Sequence, residues 1–130
     1  MIPDRFAPMT YALFRIVFGF LFLCFGLQKV AGLFGGPAVP LMGLQGAAGV
    51  IETICGLFIM LGLATKQAAF LASGEMAFAY FYIHLRLMGA TPLVNMGAQA
   101  TMFCFAFLYI ATRGAGIWSL DALMRSPKKI

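Results

Sequence analysis

The sequence predicts an all-α membrane protein, a bundle of four transmembrane helices with both termini in the cytoplasm. Of its 130 residues, 62% are hydrophobic and 10% are charged, which is more apolar surface than a soluble domain of this length could bury. Four apolar runs each approach the roughly 20 residues that cross a bilayer as a helix. The alternating pattern of a membrane barrel is absent, so helices are the expected spanning elements.

The predicted spans belong to one domain that occupies the whole chain, 1–130, and they cover residues 10–31, 43–63, 67–85 and 93–112. The first run is long enough to span and lacks a small-residue cleavage site. It therefore resembles a transmembrane helix rather than a removed signal peptide. The longest connection, residues 32–43, is rich in Gly and Pro and is expected to lie at the membrane surface.

The distribution of basic residues predicts the orientation of the bundle. One side carries Arg5, Lys66, Arg113, Arg125, Lys128 and Lys129, whereas the other carries only Lys29 and Arg86. Because cytoplasmic segments are enriched in Lys and Arg, both termini are predicted to be cytoplasmic. The basic residues flank the spans, so the net charge of +5 is expected to contact anionic lipid and not nucleic acid.

The first span carries a stripe of residues spaced three and four apart, namely Arg15, Gly19, Phe22, Gly26 and Lys29. Such a stripe lies on one helix face, and we predict that this face packs against a neighbouring helix through Arg15, Gly19 and Gly26, with the glycines allowing close approach. The two cations lie near opposite ends of the span, so their side chains are expected to extend towards lipid headgroups.

The same spacing continues in the other spans. Gln45, Gly49, Glu52 and Gly56 share a face of the second span, on which Gly49 and Gly56 are predicted helix-packing positions. Asn95 and Gln99 are predicted on the polar face of the fourth span. In the third span, His84 follows Glu75 by nine residues. That is about half a turn around a regular α-helix, so the two would share a face only if the helix end unwound.

Two carboxylates are predicted at the level of the bilayer midplane. Glu52 and Glu75 each lie about 12–14 Å from the nearer end of their span, from a rise of about 1.5 Å per residue. An ionised carboxylate at this depth costs about 2.5–3.5 kcal/mol, and we expect Lys29 to pair with Glu52. Two interpretations stay open, an internal network that fixes helix packing and a pocket that handles a ligand or protons.

The candidate pocket consists of polar residues in one half of the bundle, namely Lys29, Glu52, Glu75 and His84, with Gln28 and Asn95 at similar depth. The sequence offers no self-contained catalytic or metal site. Its three cysteines, Cys24, Cys55 and Cys104, lie in different spans without the adjacent pairing of a dithiol enzyme. With one His and no nucleotide-binding motif, no intrinsic cofactor is expected, and the question of an enzymatic activity stays open.

The ordered motifs of residues 10–123 resemble the DoxX family of small four-helix membrane proteins. They are Arg15-x3-Gly19-x2-Phe22-x3-Gly26-Leu27-Gln28-Lys29, Ile51-Glu52-x3-Gly56, Gly62-Leu63-x-Thr65-Lys66-x-Ala68-Ala69, "ASGEMAFAYF" with His84, Asn95 with Gly97, and "GAGIWSLDAL". Relatives commonly read Asn-Gly-Gly-Glu at the start of the last helix. This chain has "NMGA", so Ala98 stands where an acid is usual.

The resemblance implies a multi-pass protein of the bacterial inner membrane linked to redox biology, since the family takes its name from a subunit of a thiosulfate:quinone oxidoreductase. The implied function is a subunit, or a quinone- or lipid-binding component, of a membrane redox system, with quinone as the bound group. One alternative is a structural accessory subunit that packs against a larger membrane complex. Another is a small-solute transporter, which at this length would have to be a dimer. The expected partners are membrane lipid and either another protein or a second copy.

Overall fold

The computed structural model describes residues 1–125, and all regular elements within that range are helical. They are a 3₁₀ turn (Asp4–Phe6), α1 (Ala7–Ala31), α2 (Leu44–Leu61), α3 (Thr65–Ala79), a π-helical segment (Tyr80–Leu85), α4 (Arg86–Met88), α5 (Ala98–Arg113) and α6 (Leu120–Arg125). The prediction of an all-α fold is confirmed. Residues Asp4–Ala31 and Leu44–Leu61 form helices long and apolar enough to cross a membrane. Lys128 and Lys129, used above to predict orientation, lie outside the described residues.

Helices α1 and α2 form the closest pair, and α3 packs mainly against α5. Glycines bring the backbones of α1 and α2 together. A Cβ on Gly19 would lie 2.5 Å from Met60 N, and one on Gly56 would lie 2.7 Å from Leu23 Cα. Real Cβ atoms do not approach other atoms so closely, so neither position can carry a side chain without separating the two helices.

Arg15 lies inside the bundle and does not extend to the surface. Its side chain is fully buried and donates hydrogen bonds to Ile59 O at 3.1 Å and Trp118 O at 2.7 Å, with longer contacts to Met60 O and Ile117 O. The last carbonyls of a helix lack intrahelical partners and attract cations. The expectation that Arg15 extends towards headgroups is therefore wrong, because the end of α2 and the segment after α5 supply its acceptors.

Asp121, on α6, caps the start of α3. Its carboxylate accepts hydrogen bonds from Ala64 N at 2.9 Å, Thr65 N at 3.0 Å and Thr65 Oγ1 at 2.9 Å, while its own N–H donates to Gly62 O at 2.8 Å. Burial acts to raise the pKa of the Asp121 carboxyl, but the hydrogen bonds from Thr65 and Ala64 outweigh it and hold the pKa below its ordinary value. These hydrogen bonds hold the segment after α5 against the turn between α2 and α3.

The fourth helix begins later than the predicted span 93–112. Residues 91–96 form turns, and α5 begins at Ala98. The side chain of Asn95 organises these turns, because its Oδ1 accepts from Gly97 N at 2.8 Å and its Nδ2 donates to Gly89 O at 3.0 Å. Local bonds of this kind compete with helix formation. The placement of Asn95 on the fourth helix is therefore wrong.

Candidate functional site

A cavity of about 780 Å³ lies among α1, α2, α3, the π-helical segment and the start of α5. It occupies the end of the bundle at which α1 finishes and α2 begins. Most of its wall is apolar, and its polar lining residues are Lys29, Gln45, Glu52, Glu75, His84 and Gln99. Four of the six residues predicted to form a polar pocket thus lie around one space.

Lys29 and Glu52 form an ion pair in the cavity wall. Lys29 Nζ lies 2.8 Å from Glu52 Oε1 and 2.7 Å from Glu52 Oε2, so one ammonium group serves both carboxylate oxygens. The side chain of Glu52 is 2% exposed and that of Lys29 is 26% exposed. The glycines of the interface permit this approach, since a Cβ on Gly49 would lie 2.8 Å from Lys29 Cβ.

Glu75 lines the same cavity without a partner of its own. Its Oε1 is buried and has no hydrogen bond to any of residues 1–125. Neighbouring Gly74 also lines the cavity, and a Cβ added there would meet nothing within 4 Å. The space beside Gly74 is therefore open, and Lys29, the one lysine among residues 1–125 that lines the cavity, is already bound by Glu52.

The π-helical segment allows His84 to share a cavity with Glu75. Wider π turns advance less per residue than α turns, so they change which face of the helix a later residue occupies. His84 Nδ1 lies 2.9 Å from Asn95 O. Because a carbonyl oxygen can only accept, Nδ1 carries the hydrogen, and in the neutral ring Nε2 is left as an acceptor.

Two of the predicted pocket residues do not line the cavity. Gln28 packs against the loop after α1, where a Cβ on Gly36 would collide with its side chain. Asn95 is fully buried in the turn before α5, and its carbonyl oxygen contacts His84 Nδ1. Conversely, Gln45 and Gln99 line the cavity although they were not among the predicted pocket residues. The signal was their position on the predicted polar faces, four residues from Gly49 and from Asn95 respectively.

The cavity is suited to binding a small molecule, and residues 1–125 offer no metal site. No group of three or more His, Cys, Asp or Glu side chains is placed to hold a metal ion in that range. Cys24, Cys55 and Cys104 are free thiols, and Cys104 accepts a hydrogen bond from Ser73 Oγ through its carbonyl at 2.8 Å. A large apolar cavity with a few convergent polar groups is the usual form of a small-molecule site.

The described residues form a helical bundle with ionisable groups in its interior, and two of its helices are long and apolar enough to cross a membrane. Its sequence matches the DoxX family model over residues 10–85, so the chain belongs to the DoxX family, and the resemblance stated above is confirmed. It is also similar to a protein of Haemophilus influenzae described as "Uncharacterized protein", with 36% identity over 128 residues that cover 91% of this chain and 92% of the relative. No solved structure matches the chain.

Proposed function

We propose that this protein is a four-span component of the bacterial inner membrane that binds a quinone or lipid in its cavity and serves a membrane redox system as a subunit. The observation that carries the proposal is the cavity itself. Its volume of about 780 Å³ falls within the roughly 300–1,000 Å³ typical of ligand pockets. A filled bundle would instead favour the alternative of a purely structural accessory subunit.

The lining supports an amphiphilic ligand. Aromatic and aliphatic side chains such as Phe25, Ile51 and Phe103 provide apolar walls, and Lys29 and Glu75 add polar groups to the same lining. A quinone ring or a lipid headgroup could reach these groups while its tail stays among apolar side chains. In this role Glu52 fixes the position of Lys29, and His84 is a further polar group in the cavity wall.

The proposed role as a subunit is based on which electron-transfer groups the sequence contains and which it lacks. Electron transfer requires a thiol pair, a metal centre, or a bound organic cofactor. The sequence contains neither a Cys-x-x-Cys pair nor a dinucleotide-binding motif. A redox function would then depend on the bound quinone and on the centre of a partner protein. We therefore expect the isolated protein to show no thiosulfate-dependent or thiol-dependent quinone reduction.

Binding is tested on the full-length protein in lipid nanodiscs, titrated with a decyl-substituted benzoquinone and measured by native mass spectrometry. We expect saturable binding of one molecule per chain. Gly74→Leu, which adds bulk at an exposed position that lines the cavity, should weaken it at least tenfold, and Gly74→Ala should have a smaller effect. Absence of quinone and of co-purified lipid from the wild-type cavity would contradict a ligand-binding role and favour the accessory subunit.

The orientation has a separate test. Reporter fusions after Gly36 and after Gly89, in the connections that precede α2 and α5, should report the external side. Fusions after Thr65 and after Ile130 should report the cytoplasm. An external reading after Ile130 would overturn the proposal that both termini are cytoplasmic.

A further inference from the structure

The cavity has more carboxyl acceptors than cationic donors, and this imbalance indicates which ligand head group it would bind. Among the side chains that line it, two are carboxyls and one is a lysine. Both oxygens of Glu52 bind the Lys29 ammonium. Glu75 Oε1 remains buried and unpartnered among residues 1–125. Leaving a buried polar group without a partner is costly, so the cavity lacks one hydrogen-bond donor, and a cationic donor would balance it best.

Aromatic rings line the same cavity as this carboxyl. Five phenylalanines line the cavity, namely Phe22, Phe25, Phe70, Phe78 and Phe103. The face of an aromatic ring attracts a cation electrostatically, and this attraction is strongest where water is excluded. A carboxyl acceptor within an aromatic-lined space is a chemical environment that recognises an ammonium group, because the ammonium supplies both hydrogen-bond donors and a positive charge.

The cavity wall continues onto the outer surface of α3. Phe70, Leu71 and Phe78 line the cavity, yet they are 69%, 52% and 51% exposed. These side chains therefore border an opening from the cavity to the surface of the bundle. In a membrane, this surface faces hydrocarbon, so the tail of an amphiphile can remain in the lipid while its head enters the cavity.

We infer that the cavity binds amphiphiles with a protonated amine head, whose N–H groups donate to Glu75 and whose charge lies against the phenylalanine rings. This inference goes beyond the proposed redox function and does not depend on it. Because Glu75 offers a vacant acceptor, a primary ammonium that can donate hydrogen bonds should bind more tightly than a trimethylammonium of equal charge.

The test uses full-length protein in nanodiscs of zwitterionic lipid at pH 7, with radiolabelled decylamine measured by equilibrium dialysis against empty nanodiscs. We expect one saturable site per chain. Unlabelled decylamine should compete at least tenfold better than decanol or decanoate, and better than decyltrimethylammonium. Equal competition by decanol would overturn the inference, since it would mean that the apolar tail alone determines binding.

Substitutions test whether Glu75 and Gly74 form the amine-binding site. Glu75→Gln should lower decylamine affinity at least tenfold, while Asp4→Asn, which removes the same charge from an exposed position in the 3₁₀ turn, should leave it unchanged. Gly74→Leu should abolish binding without altering any charge. Should Glu75→Gln fail to fold, as judged by gel filtration, Gly74→Leu and the competitor series decide alone. Retained affinity in a folded Glu75→Gln or Gly74→Leu protein would refute the assignment. Quinone titration of the same preparation reports on the redox proposal separately.

Discussion

The substitution Gly19→Ala tests whether close backbone contact holds α1 against α2. The new Cβ would lie 2.5 Å from Met60 N, 2.8 Å from Met60 Cα and 3.0 Å from Gly56 O. All three are backbone atoms, so no side chain can turn aside to make room. To restore an ordinary separation of 3.4 Å, the two helices must move apart by about 0.9 Å. Overpacking of this kind costs about 1–3 kcal/mol.

Gly74→Ala is the matched control, because it makes the same chemical change in α3 where an added Cβ meets nothing within 4 Å. Each substitution also gains about 0.8–1.0 kcal/mol of helix propensity, so their difference isolates the contact. We expect Gly19→Ala to be less stable than Gly74→Ala by about 1–3 kcal/mol in denaturant titrations of the detergent-solubilised protein, followed by circular dichroism. Equal stability of the two variants would refute the packing argument.

Three further predictions concern the polar contacts. Lys29→Met should destabilise the protein by about 3–5 kcal/mol, because it leaves the buried Glu52 carboxylate without a partner. Adding Glu52→Gln should recover most of this loss. Additive losses in the double-mutant cycle would argue against a coupled pair. Arg15→Met should cost at least about 1.5–3 kcal/mol, because charged hydrogen bonds to carbonyls are lost, and an unchanged melting temperature would contradict this. The lowered pKa of Asp121 means that its contribution to stability is present above the ordinary aspartate pKa and is lost as pH falls through the folded-state value. Asp121→Asn should therefore lower stability at pH 7 and flatten its acid dependence, whereas Asp4→Asn should not.

Features that depend on neighbours in sequence could be predicted. Residues three and four apart share a helix face, so the stripe of Gly19, Gly26 and Lys29 indicated which side of α1 packs. The cost of an unpaired carboxylate in a membrane made Lys29 the expected partner of Glu52, and the structure places the two groups in contact. Both inferences needed only helical geometry and the energetics of burial.

Features that depend on distant parts of the chain could not be predicted in the same way. Arg15 binds Trp118 O, 103 residues away, and Asp121 caps a helix that begins 56 residues earlier. Local spacing carries no information about such contacts. The π-helical segment at Tyr80–Leu85 also lacks a sequence pattern of its own, although it determines that His84 lies beside the cavity that contains Glu75.

The position of Ala98 bears on how this chain differs from its relatives. It is the first residue of α5, and it does not line the cavity, whereas its neighbours Met96 and Gln99 do. An acid at the first position of a helix is stabilised by the free N–H groups and the helix dipole there. The acid that the family resemblance leads us to expect at this position would therefore find favourable interactions outside the cavity. Replacing it by alanine leaves Glu52 and Glu75 in place, so the acidic character of the cavity does not depend on position 98.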